Sequence, residues 1–226
     1  MSKIKTRDRI WSLLSLVLHS SAIRLEISLL IGLLMNLIYI TENLISAIIY
    51  RSAWSASVTA YHTLFVIARA YLLGSHRREF GSSDAVLANR ICQKVGASLL
   101  ILDVLASFMM LYSVHHGQQI SYSGIVLFGF FIYTAYSLAT SMYGMYKWSN
   151  DNKPLHFAAR NITFAASLMS AFNLQYSLLL SLGASRMLIR AVGAAGGVII
   201  FLAIALLAFH LIYRSSRNIR LELESM

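Results

Sequence analysis

The chain has 226 residues, of which 58% are apolar and 12% are charged, and its formal net charge is +10. The charged fraction is about half that of a typical soluble domain, and the mean hydropathy is +0.65. These values exclude a soluble globular protein, because too few polar residues are present to cover a core of this length.

The positive charge does not indicate a nucleic-acid partner. The basic residues lie in short clusters between apolar runs, and no basic patch is interleaved with stacking aromatic residues. Such clusters are typical of topology signals and of cytoplasmic loops that contact anionic lipids. The single cysteine, Cys92, excludes an intramolecular disulfide bond.

Residues 1–22 are predicted to form a basic segment at the cytoplasmic face. The apolar run at 10–18 is too short to cross a bilayer and, with the small residues behind it, has features of a signal peptide. We favour an interfacial helix that places Trp11 at the level of the lipid headgroups. The sequence leaves open whether this segment is cleaved.

Six apolar stretches follow, and each is long enough to cross a bilayer as a helix. The predicted spans are 25–49, 53–73, 95–114, 122–146, 156–181 and 190–213, followed by a cytoplasmic tail at 214–226. The third helix is predicted to begin in the cytoplasm with Ser83 or Asp84 as its cap, and the fifth with an Asn or Asp cap before Pro154. The predicted fold is one all-α transmembrane domain, a polytopic helical bundle.

The orientation follows from the basic residues. Fifteen Lys and Arg residues lie on one side of the predicted spans, whereas only Arg51, Arg186 and Arg190 lie on the other. Because Lys and Arg accumulate in cytoplasmic loops, both termini are predicted to be cytoplasmic in a multi-pass protein of the cell (plasma) membrane.

A weak similarity between the two halves of the chain predicts an inverted repeat of three spans plus three. Ile38-Tyr39 in the first span corresponds to Ile132-Tyr133 in the fourth, and Trp54 corresponds to Trp148. Inverted repeats of this kind are common in transporters. Tyr and Trp also collect at membrane interfaces without any repeat.

Ionisable residues within the predicted spans are the main candidates for a site, because each is costly in a bilayer. Asp103 lies near the middle of the third span and Arg69 lies in the second. They are expected either to form a structural ion pair or to bind a solute or proton. His62 shares a helix face with Arg69, and is expected either to carry protons or to bond to a neighbouring helix.

Further polar residues in the spans are candidates for solute or ion binding: Asn36, Glu42, Tyr136 and Asn173. Hydrogen bonds between helices offer an alternative explanation for them, and Glu42 lies near a span end where it can reach water. Gly193 and Gly197 form a GxxxG motif, which predicts close helix packing within the protein or in a homodimer.

The sequence lacks the common catalytic and cofactor-binding motifs. It has no HExxH, no GxSxG, no phosphate-binding loop and no dinucleotide fingerprint. We therefore predict no catalytic residue, no cofactor and no metal ligand.

Two stretches carry a resemblance to a known group of proteins. They run from Tyr50-Arg51 to Leu72-Leu73 and from Ala158-Ala159 to Leu174-Gln175. The chain resembles, over most of its length, small six-span bacterial membrane proteins of no assigned activity. The resemblance implies a bacterial cell membrane and no particular chemistry.

These features favour a small transporter or channel with a polar mid-membrane site near Asp103, Arg69 and His62, working by alternating access. A non-catalytic membrane subunit of a larger complex is the main alternative, and an intramembrane enzyme acting on lipid is a weaker one. The expected partners are the bilayer, its anionic lipids, and either a second copy or another membrane protein.

Overall fold

The computed structural model describes residues 21–79, 85–116, 124–147 and 153–224. Within these ranges the chain forms six α-helices and no β-strand, so the predicted all-α bundle is confirmed. The helices are α1 (Ser21–Tyr50), α2 (Ala53–Glu79), α3 (Ala85–His116), α4 (Gly124–Lys147), α5 (Pro154–Ser181) and α6 (Arg186–Glu224). The predicted interfacial helix at Trp11 and the predicted cap of α3 lie outside the described residues.

Two helical hairpins are closed by short, well-defined turns. Between α1 and α2, Arg51 adopts a left-handed backbone conformation with φ +48°, and the Ser52 hydroxyl oxygen accepts a hydrogen bond of 3.3 Å from the Ser55 N–H. After α5, Gly183 has φ +67°, and the N–H of Ala184 bonds to the Leu179 carbonyl at 3.0 Å. Glycine is favoured there because a left-handed residue commonly ends a helix.

The start of α5 differs from the prediction. The residue that caps it is Lys153, whose side chain makes no capping hydrogen bond, so the predicted Asn or Asp cap is wrong. Pro154 occupies the first turn, where its missing N–H costs nothing and its fixed φ suits a helix. The proline therefore provides the helix-start signal without help from a polar cap.

The fifth helix lies at the centre of the bundle. α5 packs against each of the other five described helices, and most of its residues are buried, including Asn161, Ser167 and Asn173. A helix enclosed by protein can carry polar side chains that would be costly against lipid. Its position therefore explains how α5 can carry buried polar side chains such as Asn161, Ser167 and Asn173.

The remaining helices associate in pairs. α1 packs along α2, α4 packs along α5, and the most extensive contact joins α3 to α6. A Cβ atom on Gly96 of α3 would lie 2.7 Å from Ile212 Cγ1 and 3.2 Å from the Ala208 carbonyl oxygen of α6. The glycine thus allows the two backbones to approach closely.

The segment predicted as a tail, 214–226, is helical through Glu224 and packs on the bundle. Gln93 Nε2 of α3 donates a hydrogen bond of 2.7 Å to Ser216 Oγ, and the Arg214 guanidinium lies 4.4 Å from the centre of the Phe157 ring. With 39 residues, α6 is about 58 Å long, roughly twice the thickness of the hydrocarbon core. The α3–α6 pair therefore continues outside any bilayer that the bundle occupies.

The outer surface of the bundle is apolar. Large side chains such as Ile48, Phe108 and Leu206 are each about two-thirds exposed. Four helices are long and apolar enough to cross a membrane, within Leu25–Tyr50, Ala53–Arg77, Ala85–Phe108 and Arg186–Glu224. The described helices thus form a membrane-embedded bundle, whereas the crossing of α4 and α5 stays a prediction.

Candidate functional site

Polar and aromatic side chains from three helices meet inside the bundle. They are spaced three, four or seven residues apart on α1 and α2, so each helix contributes one face. We call this set the central polar cluster; it comprises Gly32, Asn36 and Tyr39 of α1, His62 and Arg69 of α2, and Tyr133 and Thr134 of α4.

Arg69 is the permanent charge of this cluster. Its side chain is only 2% exposed, and its guanidinium lies against the backbone of α1 at Gly32, where any side chain would overlap it. The positive charge of Arg69 interacts electrostatically with the side chains of His62 and Tyr133. Its Nε and Nη1 atoms have no hydrogen-bond partner among the described residues. The glycine therefore creates the space that the buried cation fills.

His62 connects α2 to α1. Its Nδ1 lies 3.2 Å from the Asn36 side-chain oxygen, and a proton on Nδ1 makes the histidine the donor. Both side chains are 2% exposed. The Asn36 side-chain nitrogen has no partner within the described part of the chain. As expected for one of the two alternatives, a neighbouring helix provides a partner for His62, namely Asn36 of α1.

Aromatic rings join α1 to α2 and α4. The Tyr39 ring stacks on His62 at a centroid distance of 4.7 Å and on Phe130 at 4.9 Å. It also contacts Tyr133, with ring centroids 5.5 Å apart. The Tyr39 hydroxyl lies beside the hydroxyls of Thr134 and Ser170. The cluster thus combines flat apolar walls with polar groups.

A second polar contact joins α2 to α5 on the other side of His62. The Trp54 indole N–H donates a hydrogen bond of 3.1 Å to the Asn173 side-chain oxygen, and the indole stacks on Tyr176 at 4.2 Å. His62, Trp54 and Asn173 also line a small cavity of about 10 Å³. The predicted candidates His62 and Asn173 are therefore brought together, with Trp54 between them.

Asp103 lies apart from Arg69. Its side chain is 2% exposed, and its Oδ2 atom has no hydrogen-bond partner among the described residues. Its charge acts on Tyr61 of α2. The described side chains form an ion pair between Arg77 and Glu26, but none between Asp103 and Arg69. The expected structural pair is not made, and the Arg69 guanidinium instead lies against α1 at Gly32.

Serine hydroxyls link α4 to α5. Ser137 and Ser167 have their hydroxyl oxygens 2.6 Å apart, and Ser141 donates to Ser167 at 3.5 Å. Within their own helices, Ser141 Oγ donates to the Ser137 carbonyl at 2.7 Å and Ser167 Oγ donates to the Thr163 carbonyl at 2.8 Å. These residues therefore hold the two helices together.

Two predicted site residues lie away from the cluster. Tyr136 is 68% exposed on the outer surface of α4, because it lies two residues after buried Thr134 and therefore about 200° around the helix from it. Glu42 is half-buried near the end of α1, and its charge acts on Tyr39. The structure thus excludes Tyr136 from the interior and places Glu42 at the margin.

The GxxxG motif of α6 faces other helices within the same chain. A Cβ atom on Gly197 would contact the Phe172 ring of α5 at 3.7 Å, and Gly196 faces the Gln175 side chain. Gly193 is buried and lines an apolar groove between α6 and α3 with Ser107. The small residues therefore face α5 and α3.

Sequence reasoning missed Gly32 and Thr134 as parts of the site. Gly32 gave a usable signal, because it precedes Asn36 by one helical turn and so lies on the polar face of its span. From the sequence, Trp54 was considered only as a residue of the membrane–water interface, although a buried indole N–H needs a hydrogen-bond partner. Thr134 gave no signal, since its neighbours in the sequence are mostly apolar or aromatic.

The described residues contain no group of three or more His, Cys, Asp or Glu side chains placed to hold a metal ion. Comparison with known protein families, with curated proteins and with solved structures finds no match to this chain. The resemblance to small bacterial membrane proteins stays a prediction.

Proposed function

We propose that this protein is a small membrane transporter or channel whose solute site is the central polar cluster. One observation supports this most: among the described residues, buried polar atoms of Arg69 and Asn36 have no partner inside a bundle whose outer surface is apolar. Polar groups without partners are costly inside a membrane, so such groups usually serve a solute pathway. His62 lies about 14 Å from the start of α2, near the middle of a 30 Å hydrocarbon core.

The proposal includes six crossings and cytoplasmic termini. α4 and α5 have 24 and 28 residues, which is enough to cross a bilayer, and α5 is shielded from lipid by its neighbours. The excess of basic residues at the start of α1, α3 and α5 and the end of α2, α4 and α6 favours placing that side in the cytoplasm of a cell membrane.

The proposal also includes the inverted repeat. The packing of α1 with α2 corresponds to that of α4 with α5, and the α2–α3 contact corresponds to the α5–α6 contact. Tyr39 and Tyr133, which are equivalent in the two halves, have their rings in contact. Equivalent residues meet when they lie near the twofold axis of an inverted repeat, which supports this arrangement.

Alternating access would then be a rocking of two helical hairpins. The α1–α2 hairpin and the α4–α5 pair meet through the rings of Tyr39 and Tyr133 and through Trp54 and Asn173, whereas the most extensive helix contact joins α3 to α6. We propose that α3 and α6 act as a scaffold and that the two other pairs move against each other around the cluster.

Thiol labelling tests this proposal without knowledge of the solute. Cys92 is the only cysteine, so Cys92→Ser gives a background in which a single cysteine can be introduced. Thr134→Cys points into the cluster, and Tyr136→Cys, two residues further on, points outwards. A charged, membrane-impermeant thiol reagent is applied to right-side-out and to inside-out membrane vesicles.

We expect the reagent to label Thr134→Cys from both sides and Tyr136→Cys from neither. A polar pathway admits water to the interior position, whereas lipid covers the outer position. If the reagent labels Thr134→Cys from neither side, the protein is not a transporter or channel with its pathway at this cluster. Equal labelling at both positions also contradicts it, because water would then reach the outer surface as readily as the interior.

A non-catalytic membrane subunit is the second candidate. It is favoured by the α3–α6 extension, on which Arg217 and Arg220 are exposed beyond the apolar part of α6. If this extension docks on a partner, purification in mild detergent should yield a stoichiometric complex that the Arg217→Glu/Arg220→Glu variant loses. A homogeneous, single-component preparation would count against this candidate.

A further inference from the structure

The central polar cluster is rich in hydrogen-bond donors and poor in acceptors. Arg69 Nε, Arg69 Nη1 and Asn36 Nδ2 carry hydrogens and accept nothing, and among the described residues none of them has a partner. The Asn36 oxygen, which is an acceptor, is already in contact with His62 at 3.2 Å. The unsatisfied capacity of the cluster is therefore suited to a ligand that accepts hydrogen bonds.

The charge of the cluster is also unbalanced. The Arg69 guanidinium is buried and keeps its positive charge. In the described part of the chain no carboxylate lies within 4 Å of it. Glu26 pairs with Arg77 at 3.0 Å, Glu42 lies near Tyr39, and Asp103 lies near Tyr61. A ligand with one negative charge would balance the site, whereas a second charge would be buried without a partner.

The seam between α1 and α4 is formed by aromatic side chains close to Arg69. In the described ranges the Cα atoms of these two helices stay more than 8 Å apart, and the helices approach through the Tyr39 ring against Phe130 and Tyr133. Arg69 lies near both sides of this seam, against Gly32 on α1 and close to Tyr133 on α4. The Tyr133 ring therefore places an apolar surface close to the guanidinium.

We propose that the central polar cluster binds a small organic monocarboxylate. Its carboxylate lies on Arg69 and Asn36, with Thr134 as a further donor, and its carbon chain lies against the Tyr133 ring. This inference rests on the proposed function, because it names the class of solute at the same site. Divalent phosphate is disfavoured by its second charge.

Thermal unfolding of the full-length protein in a neutral detergent tests the proposal. Potassium butyrate and potassium acetate are compared with potassium chloride and potassium phosphate at equal ionic strength. We expect butyrate near saturation to raise Tm by at least about 3 °C, because a ligand that binds only the folded state stabilises it. Chloride and phosphate should leave Tm unchanged.

Variants identify the site. Arg69→Gln should abolish the butyrate shift, whereas Arg186→Gln, which removes an exposed arginine at the start of α6, should keep it. Because the Arg69 charge is buried without a partner, Arg69→Gln should fold with an equal or higher Tm. Thr134→Val preserves the side-chain shape and should weaken butyrate binding by on the order of tenfold, so it serves as an independent second variant.

Several outcomes would overturn the monocarboxylate site. These are the absence of any shift, an equal shift with phosphate, and a butyrate shift that survives Arg69→Gln. Lipid is tested in nanodiscs of phosphatidylcholine with and without phosphatidylglycerol. A stabilisation by phosphatidylglycerol that requires Arg69, without a butyrate effect, would assign the site to a lipid headgroup and overturn the proposal.

The thiol-labelling experiment separates this inference from the proposed function. If Thr134→Cys is labelled from both sides but butyrate has no effect, the pathway stands and the monocarboxylate is wrong. If butyrate binds through Arg69 but labelling fails from both sides, the site stands and transport is wrong.

Discussion

The guanidinium of Arg69 lies directly over the backbone of Gly32, so that a methyl group at position 32 would occupy the same space as Nη1. Glycine in a helix interior costs about 1 kcal/mol relative to alanine. This cost is offset by the room that it makes for a buried charge between α1 and α2. The contact between Gly32 and Arg69 therefore fixes where the buried charge lies, which neither residue does alone.

The substitution Gly32→Ala should lower the free energy of unfolding by about 1–3 kcal/mol, because the added methyl displaces a buried side chain. Denaturant titration in detergent micelles measures this change. Gly74→Ala is the matched control, since no atom lies within 4 Å of a Cβ at that position. In an Arg69→Ala background the Gly32→Ala effect should largely disappear; an unchanged effect would contradict the contact.

The substitutions Asp103→Asn and Arg69→Gln should have additive effects on stability, within about 0.5 kcal/mol, because the two side chains do not pair. Each removes a buried charge with an unsatisfied atom, so neither should be strongly destabilising. A double-mutant cycle measures the coupling. A coupling free energy above about 1 kcal/mol would mean that the two residues interact after all.

Asn36→Leu should lower the free energy of unfolding by about 0.6–2 kcal/mol, because it removes the hydrogen-bond partner of buried His62. In a His62→Leu background the loss should be smaller, and denaturant titration of the four proteins gives the difference. Thr63→Val is the control, since the exposed Thr63 hydroxyl bonds to its own helix at Thr59. A loss of equal size in both backgrounds would argue against the bond.

Two substitutions of Trp54 should separate its hydrogen bond from its packing. Trp54→Phe removes the N–H that Asn173 accepts but keeps a ring on Tyr176, so the expected loss is about 1 kcal/mol. Trp54→Ala also removes the ring and should cost about 3–5 kcal/mol. Equal losses for both variants would mean that the ring contact contributes little.

Gly96→Ala should lower the free energy of unfolding by about 1–3 kcal/mol, because its methyl group would meet Ile212 at 2.7 Å and force α3 from α6. Gly129→Ala, where no atom lies within 4 Å, should cause no loss. Ile212→Ala should restore part of the stability in the Gly96→Ala background. The absence of any rescue would place the strain elsewhere.

The helices were predictable because long apolar runs have few alternatives in a membrane. The turn at residues 50–52 follows from its polar residues, and the break before α5 follows from Pro154. The helical end of α6 was not predictable from hydropathy, because it depends on contacts such as Gln93 with Ser216. Hydropathy reports where a chain meets lipid and says little about helices that pack outside it.

The candidate site was predictable in part. Spacing on one helix identified His62 with Arg69, since both positions follow from the helical repeat. The partner of Arg69 could not be inferred, because the rotation of one helix relative to its neighbours decides whether an arginine meets Asp103 or Gly32. The exclusion of Tyr136 has the same cause, since a helix of mixed polarity does not show which edge faces inwards.

The central position of α5 has a consequence for biogenesis in the proposed six-span arrangement. A segment that is surrounded by protein when folded has little tendency to leave the translocon for lipid by itself. The α6 segment, which has the highest hydropathy of the candidate spans, follows after a turn of four residues. We expect α5 and α6 to insert together as a hairpin, so a polar substitution in α6 should impair the insertion of both.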